Sequence, residues 1–253
     1  MSSMPLQAHL VELQRRLKYC LIFLGVGLLI AFLLREPLLA IVSSPHQWAM
    51  GKLNLPSQLV VLKYQDSFIS QIKICLMGGL IIASPFIIYE LLKFIEPGLK
   101  ASERRSLLFV YFPGVLMLFL SGAVFSYFLL IPYGLYFMLM FGTEVGLSPM
   151  INFADYVSLF SILVLLTALA FELPIVMVLL SRIGLFSAGD YKKSRRYAIV
   201  VAVIVGAILT PPDPVTQLLL AIPLILLYEV GVFVTRFTEK KQQQKALLPQ
   251  SDS

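Results

Sequence analysis

The chain has 253 residues, of which 58% are apolar and only 13% are charged, and its formal net charge is +6. Because soluble domains carry about 25% charged residues, this chain has too few charges to cover a soluble globule, which excludes a cytosolic enzyme. The aromatic content of 12% excludes a disordered chain, and two cysteines exclude a disulfide scaffold or a thiolate metal site. The composition is that of a single-domain, polytopic helical membrane protein.

The N-terminal segment predicts an amphipathic helix that lies at the cytoplasmic interface and runs into the first membrane span. Leucines recur at helical spacing from Leu6 to Leu17, and polar residues occupy the other faces. Spacing alone favours an ordinary ion pair of Glu12 with Arg15 or Arg16, which stabilises a helix by roughly a few tenths of a kcal/mol.

Of six apolar segments, most reach the length needed to cross a bilayer, since about 20 helical residues span roughly 30 Å of hydrocarbon. The uncharged run 106–143 is long enough to form one crossing or two. The fifth segment is short for a crossing. The predicted spans cover about residues 17–35, 69–92, 106–128, 155–181, 196–211 and 215–235.

The distribution of basic residues orients these spans. Of the twenty Lys and Arg residues, all but four lie before the first uncharged run (19–34), in the 93–105 and 182–196 loops, or after the last span. Because cytoplasmic loops retain Lys and Arg, the two loops lie on the same side, and an even number of crossings separates them. The 106–143 run is therefore one crossing with an extension outside. We predict a 1–236 membrane domain with six crossings and both termini cytoplasmic, followed by a flexible tail, 237–253.

The predicted outer loop 35–65 contains three prolines, among them Pro45. Proline interrupts helices, so we expect a structured cap built from short helical pieces. His46 in this loop and His9 near the N-terminus lie far from any second histidine or cysteine along the chain. Metal binding is therefore not expected at either histidine.

Glu172 lies inside the fourth predicted span, next to Leu173 and Pro174. A carboxylate at that depth costs several kcal/mol unless it is protonated or faces a polar cavity. It is either a protonated group bonded to another helix or a polar site for a translocating or partner segment, and we favour the second interpretation. Pro174 is expected to open the helix nearby. Glu90 and Glu229 lie near cytoplasmic span ends, where snorkelling explains them.

Five stretches carry a family resemblance when they are taken together and in this order: HLVELQRRL (9–17), PFIIYE (85–90), FIEPGLKASERR (94–105), FELP (171–174) and TPPDPVTQ (210–217). With six predicted spans in register, the chain resembles TatC, the multispanning subunit of the twin-arginine protein translocase. The resemblance implies an all-α, cup-shaped bundle of six transmembrane helices with short fifth and sixth helices.

The resemblance also implies a function in protein export. It implies a non-enzymatic receptor and core subunit in the plasma membrane of a prokaryote, with no cofactor, metal or nucleic acid. It would bind the twin-arginine signal peptides of folded cargo at the cytoplasmic face. It would then assemble with single-span TatA- and TatB-type partners, further TatC copies and membrane lipid for export driven by the protonmotive force.

Residue by residue, the resemblance implies a signal-peptide pocket. Glu12 and Glu103 match the carboxylates that bind the twin arginines, and a guanidinium fork suits a carboxylate in a way that lysine does not reproduce. Phe94, Pro97 and Leu99 match the loop that shapes this pocket.

Further matches lie elsewhere along the chain. Glu172 and Pro174 match the polar position in the membrane, and Asp213 and Gln217 match the periplasmic turn between the last two spans. The family usually carries Arg where Gln14 stands. Either Arg15 supplies the missing cation from another face, or the chain binds signal peptides somewhat differently.

Two other classes of membrane protein are less well supported. A proton-coupled small-solute transporter centred on Glu172 would show inverted repeats with broken helices in matching halves, and the sequence shows neither. An intramembrane hydrolase would need a nucleophile with a base, or paired metal ligands, within the spans. No such pairing is visible.

Overall fold

The computed structural model describes residues 6–96, 111–144, 149–210 and 213–247. These residues are almost entirely helical, apart from connections and an isolated parallel bridge between Val60 and Asn152. The helices are α1 (Leu6–Leu33), α2 (Arg35–Lys52), α3 (Asp66–Ile95), α4 (Phe112–Phe125), α5 (Ile131–Glu144), α6 (Phe153–Ala170), α7 (Leu173–Arg182), α8 (Ala188–Lys193), α9 (Arg195–Leu209) and α10 (Pro214–Leu247).

Among the described residues, five helical stretches are long and apolar enough to cross a membrane. They are Leu10–Leu33, Asp66–Ile95, Phe112–Thr143, Phe153–Arg182 and Pro214–Lys241. The remaining predicted crossing corresponds to α9, whose 15 residues rise only about 22 Å at 1.5 Å per residue. The predicted short fifth helix is therefore present, while the count of six crossings and their orientation stay predictions.

The chain divides into two compact units, one ending at Thr167 and the other beginning at Ala168. In the first unit, α1 packs along α3 where two glycines meet. A Cβ atom added to Gly27 would collide with the carbonyl oxygen of Gly79, and one added to Gly79 would lie 2.9 Å from the backbone nitrogen of Leu28. The absence of side chains at these positions lets the two backbones approach closely.

The run after residue 111 forms one continuous helix. A π-helical turn, Ser126–Leu130, joins α4 to α5 without a break. The candidate span Phe112–Thr143 has 32 residues, which rise about 48 Å and exceed the roughly 30 Å of a hydrocarbon core. This continuous helix is not a hairpin, as expected, while the single crossing with an extension outside stays a prediction.

The expectation of short helical pieces in the 35–65 loop is wrong for its first half. A single 18-residue helix, α2, continues through Pro45. Proline has no N–H to donate to the carbonyl four residues earlier, which here belongs to Ile41. The Tyr127 hydroxyl donates to that carbonyl over 3.1 Å instead, so the helix continues without losing the hydrogen bond.

In the second unit, α7, α8 and α9 pack against α10, which has 34 residues. The implied short sixth helix is therefore wrong as regards helix length. Regular structure also continues to Leu247, beyond the start of the predicted flexible tail. One reason is that Glu239 is held in place: its Oε1 atom accepts hydrogen bonds from the Ser181 hydroxyl at 2.8 Å and the Ala188 amide at 2.9 Å.

Candidate functional site

A three-residue ion cluster joins α1 to α3. Glu12 and Arg16 lie one turn apart on α1, so their side chains share a face, and Glu90 reaches them from α3. Arg16 Nε donates to Glu12 Oε1 at 2.6 Å, and Nη2 lies 2.6 Å from the same oxygen as an ion pair. Its third nitrogen, Nη1, donates to Glu90 Oε2 at 2.8 Å.

The members of this cluster differ in their access to solvent. The side chains of Glu12 and Arg16 are each 21% exposed, and that of Glu90 is 10% exposed. Arg15 is 62% exposed, and its Nη1 lies 3.8 Å from Glu12 Oε2, which is at the edge of ion-pair distance. A partly buried guanidinium, that of Arg16, therefore occupies one oxygen of Glu12, and an exposed, weakly held guanidinium, that of Arg15, approaches the other.

The pairing of Glu12 with Arg15 and Arg16 that the spacing favoured is confirmed. Arg16 is the stronger partner, although the resemblance had suggested Arg15 as the substitute for the family's missing arginine. Snorkelling does not account for Glu90, because its carboxylate is buried against Arg16 and is not extended toward water. In the sequence, Glu90 is recognisable only as an acidic residue near the end of an apolar span. Its partner, Arg16, lies 74 residues away along the chain.

The other predicted pocket residues are only partly within the described chain. Phe94 is half-buried and lies one helical turn after Glu90 on α3. Pro97, Leu99 and Glu103 lie outside the described residues.

Glu172 and Pro174 occupy a helix junction. Helix α6 ends at Ala170, and α7 begins at Leu173 with proline in its first turn, where its missing N–H is not needed. The Glu172 carbonyl accepts from the amides of Ile175 and Val176, both at 3.0 Å. Its side-chain Oε1 is buried. The predicted opening of the helix near Pro174 is confirmed.

Asp213 and Gln217 have identifiable roles in packing. Asp213 precedes α10 and caps it: Oδ1 accepts from the Thr216 amide at 2.7 Å, and Oδ2 accepts from the Thr216 hydroxyl. Gln217 Nε2 donates to the Val203 carbonyl at 3.1 Å, which ties α10 to α9. Both residues therefore stabilise the turn between these two helices.

A second polar cluster, which the sequence did not indicate, joins two connections of the first unit. Asp66 Oδ2 accepts from the Lys63 amide at 3.1 Å and from Asn152 Nδ2 at 3.3 Å. The Val60 amide donates to the Ile151 carbonyl at 3.0 Å. Within the part of the chain that the structure describes, no group of three or more His, Cys, Asp or Glu side chains is placed to hold a metal ion.

Comparisons with known proteins agree with one another. The family model described as Sec-independent protein translocase protein (TatC) matches residues 8–223. The Sec-independent protein translocase protein TatC of Aquifex aeolicus is 37% identical over 246 residues, covering 96% of this chain and all of its own length. That of Desulforapulum autotrophicum is 36% identical over 238 residues, covering 94% of this chain and 86% of its own length.

A crystal structure of the twin-arginine translocase receptor TatC superposes with a TM-score of 0.78 and 36% identity. The match covers 90% of this chain and 98% of that one. These similarities do not favour a small-solute transporter, and they indicate a non-enzymatic transport subunit. The chain therefore belongs to the TatC family of Sec-independent protein translocase proteins.

Proposed function

We propose that this TatC-family chain is the receptor subunit of a twin-arginine translocase and that Glu12 binds the paired arginines of cargo signal peptides. The observation that supports this role is that Glu12 already holds a guanidinium group. Two Arg16 nitrogens lie 2.6 Å from one of its oxygens, a distance typical of strong charge-assisted hydrogen bonds. A carboxylate placed for an internal arginine is chemically suited to an arginine from a peptide.

The rest of the pocket is proposed from the family match. Glu103 is the second carboxylate, and Phe94, Pro97 and Leu99 shape the loop around the bound peptide. Arg15 lies on the exposed side of Glu12, where an incoming arginine would replace it.

Partner binding is proposed on the exposed helical surface. In the span Leu10–Leu33, only 11% of an apolar stretch of 18 residues is buried within the chain. In a membrane, this leaves an apolar face for lipid, for single-span TatA- or TatB-type helices, or for a further TatC copy. Glu172 and Pro174 form the polar position inside the membrane that a passing or partner segment would contact, and Asp213 and Gln217 hold the periplasmic turn.

The proposed location is the inner membrane of a prokaryote, with both termini in the cytoplasm. The basic loops support this orientation, and cysteine labelling tests it. A cysteine at Ser194 is expected to react with an impermeant reagent from the cytoplasmic side, and one at Thr216 from the outer side. Labelling of position 194 from outside would overturn the orientation.

The binding role is tested by photocrosslinking a signal peptide to the full chain in native membranes. We expect a peptide with two arginines to crosslink strongly and its two-lysine counterpart weakly. Glu12→Gln removes a charge-assisted hydrogen bond worth about 1.5–3 kcal/mol, which corresponds to a loss of about tenfold or more. Glu103→Gln is expected to act in the same direction.

The matched control is Glu229→Gln. Glu229 also pairs with an arginine, Arg195, at 2.5 Å, but on an exposed surface of the second unit. Crosslinking should therefore be unchanged in this variant. Equal crosslinking of the arginine and lysine peptides to the unmodified protein would refute the proposed function.

A further inference from the structure

We infer that Glu90 keeps the ion cluster of Glu12, Arg16 and Glu90 acidic. It neutralises Arg16 and so leaves the charge of Glu12 for an incoming arginine. This inference rests on the proposed function and assigns a positioning role to a residue on α3. Three properties of the cluster support this role: the occupied oxygens, the net charge, and the difference in exposure between Arg15 and Arg16.

The two oxygens of Glu12 have different partners. All three nitrogens of Arg16 are engaged, with Nε and Nη2 on Glu12 Oε1 and Nη1 on Glu90 Oε2. The second oxygen of Glu12, Oε2, is approached by Arg15 at 3.8 Å. Since Arg15 is 62% exposed, its contact with Oε2 is weakened by solvent and salt. Oε2 is therefore the atom that a peptide guanidinium would contact.

The charges explain why a second acid is needed. Glu12 and Arg16 alone form a neutral pair, which attracts a further cation only weakly. Glu90 adds one negative charge beside Arg16, so these three residues together carry a net charge of −1. Arg15 balances this charge in the empty protein, and a peptide arginine that replaces Arg15 at Oε2 would leave the local balance unchanged.

Because the Glu90 side chain is buried, solvent and salt screen its negative charge only weakly. The Glu90 side chain is 10% exposed, and Arg16 is 21% exposed, so their interaction is screened less than that of a surface pair. Glu90 also holds the Arg16 guanidinium through Nη1, at 2.8 Å, while Nε is bonded to Glu12 Oε1. Glu90 thus acts through Arg16 and does not itself need to touch the peptide.

The experiment measures the affinity of a fluorescent twin-arginine signal peptide for the full-length protein in lipid nanodiscs. We expect Glu90→Gln to weaken binding by about tenfold, because the remaining Glu12–Arg16 pair is neutral. The weakened binding should also depend less on salt than that of the unmodified protein. Glu229→Gln, the exposed control, should change neither quantity.

The double variant Glu90→Gln/Arg16→Gln separates this role from a merely structural one. Removing Arg16 as well leaves Glu12 with its full charge, so affinity should return to within about threefold of the unmodified protein. A structural role for Glu90 predicts that the double variant binds as weakly as Glu90→Gln or more weakly. If Glu90→Gln is not recovered folded, the double variant alone decides: retained binding supports the inference, and lost binding refutes it.

Failure of this inference is distinguishable from failure of the proposed function. If the unmodified protein prefers the arginine peptide over the lysine peptide and Glu90→Gln retains normal affinity, only the role of Glu90 is refuted. If the unmodified protein shows no such preference, the proposed function itself is refuted, and the role of Glu90 falls with it.

Discussion

The close contact between α1 and α3 allows a sharp test with a single methyl group. In Gly79→Ala, the new Cβ atom would lie 2.9 Å from the Leu28 nitrogen and 3.0 Å from the Gly27 carbonyl carbon. Both are backbone atoms, so neither can rotate away, and ordinary contact distances require the helices to move apart by roughly 0.5–1 Å. Overpacking of this kind costs typically about 1–3 kcal/mol.

Gly25→Ala provides the matched control. Gly25 lies on α1, close to the same contact, but a Cβ atom added there meets nothing within 4 Å. Both substitutions gain about 1 kcal/mol of helix propensity, so Gly25→Ala should be neutral or stabilising. Because this gain is common to both variants, we expect Gly79→Ala to be less stable than the control by about 1–3 kcal/mol, measured by thermal or denaturant unfolding in the same detergent.

Moving α1 and α3 apart should also lengthen the contact between Arg16 on α1 and Glu90 on α3, because these residues meet across the same helix pair. We therefore expect Gly79→Ala also to weaken binding of a twin-arginine peptide, whereas Gly25→Ala should not. Equal stability of the two variants would refute the conclusion that the glycines set the distance between α1 and α3.

Two further predictions concern the helix cap and a buried histidine. Asp213→Ala should destabilise the protein by about 1 kcal/mol, because the Thr216 amide loses its acceptor. Asp213→Asn should retain most of the stability, and equal unfolding midpoints for both variants would contradict the capping role. His46 is fully buried, and desolvation lowers its pKa below the usual value. The unfolded chain therefore takes up the proton first, and the melting temperature should fall as pH drops below about 6.5; His46→Gln should reduce this dependence, whereas an unchanged dependence would exclude His46 as its source.

The fold could be predicted from the sequence wherever the signal was local. Apolar length located the helices, and the charge distribution predicted one crossing, not two, for the 106–143 run, whose described part Phe112–Thr143 is a continuous helix. The break next to Glu172 followed from Pro174, because proline disturbs the backbone within its own turn. Apolar length and charge mark where a crossing ends, but they do not show whether the helix continues as a polar segment. For this reason α10 extends beyond its predicted end.

The site was predictable only in part. Spacing along one helix placed Glu12 beside Arg16, since residues four apart share a face. Glu90 could not be assigned to the same site, because that assignment requires knowing which faces of α1 and α3 meet.

By itself, the sequence determined that this chain is a helical membrane protein of the TatC family, because hydropathy, charge and short motifs are properties of local segments. Tertiary structure alone decided that Arg16 is shared with Glu90, 74 residues away. It also decided that Pro45 lies within a continuous helix, since Tyr127, 86 residues from Ile41, supplies the hydrogen bond. Such contacts depend on the relative placement of packed helices, which no local pattern records.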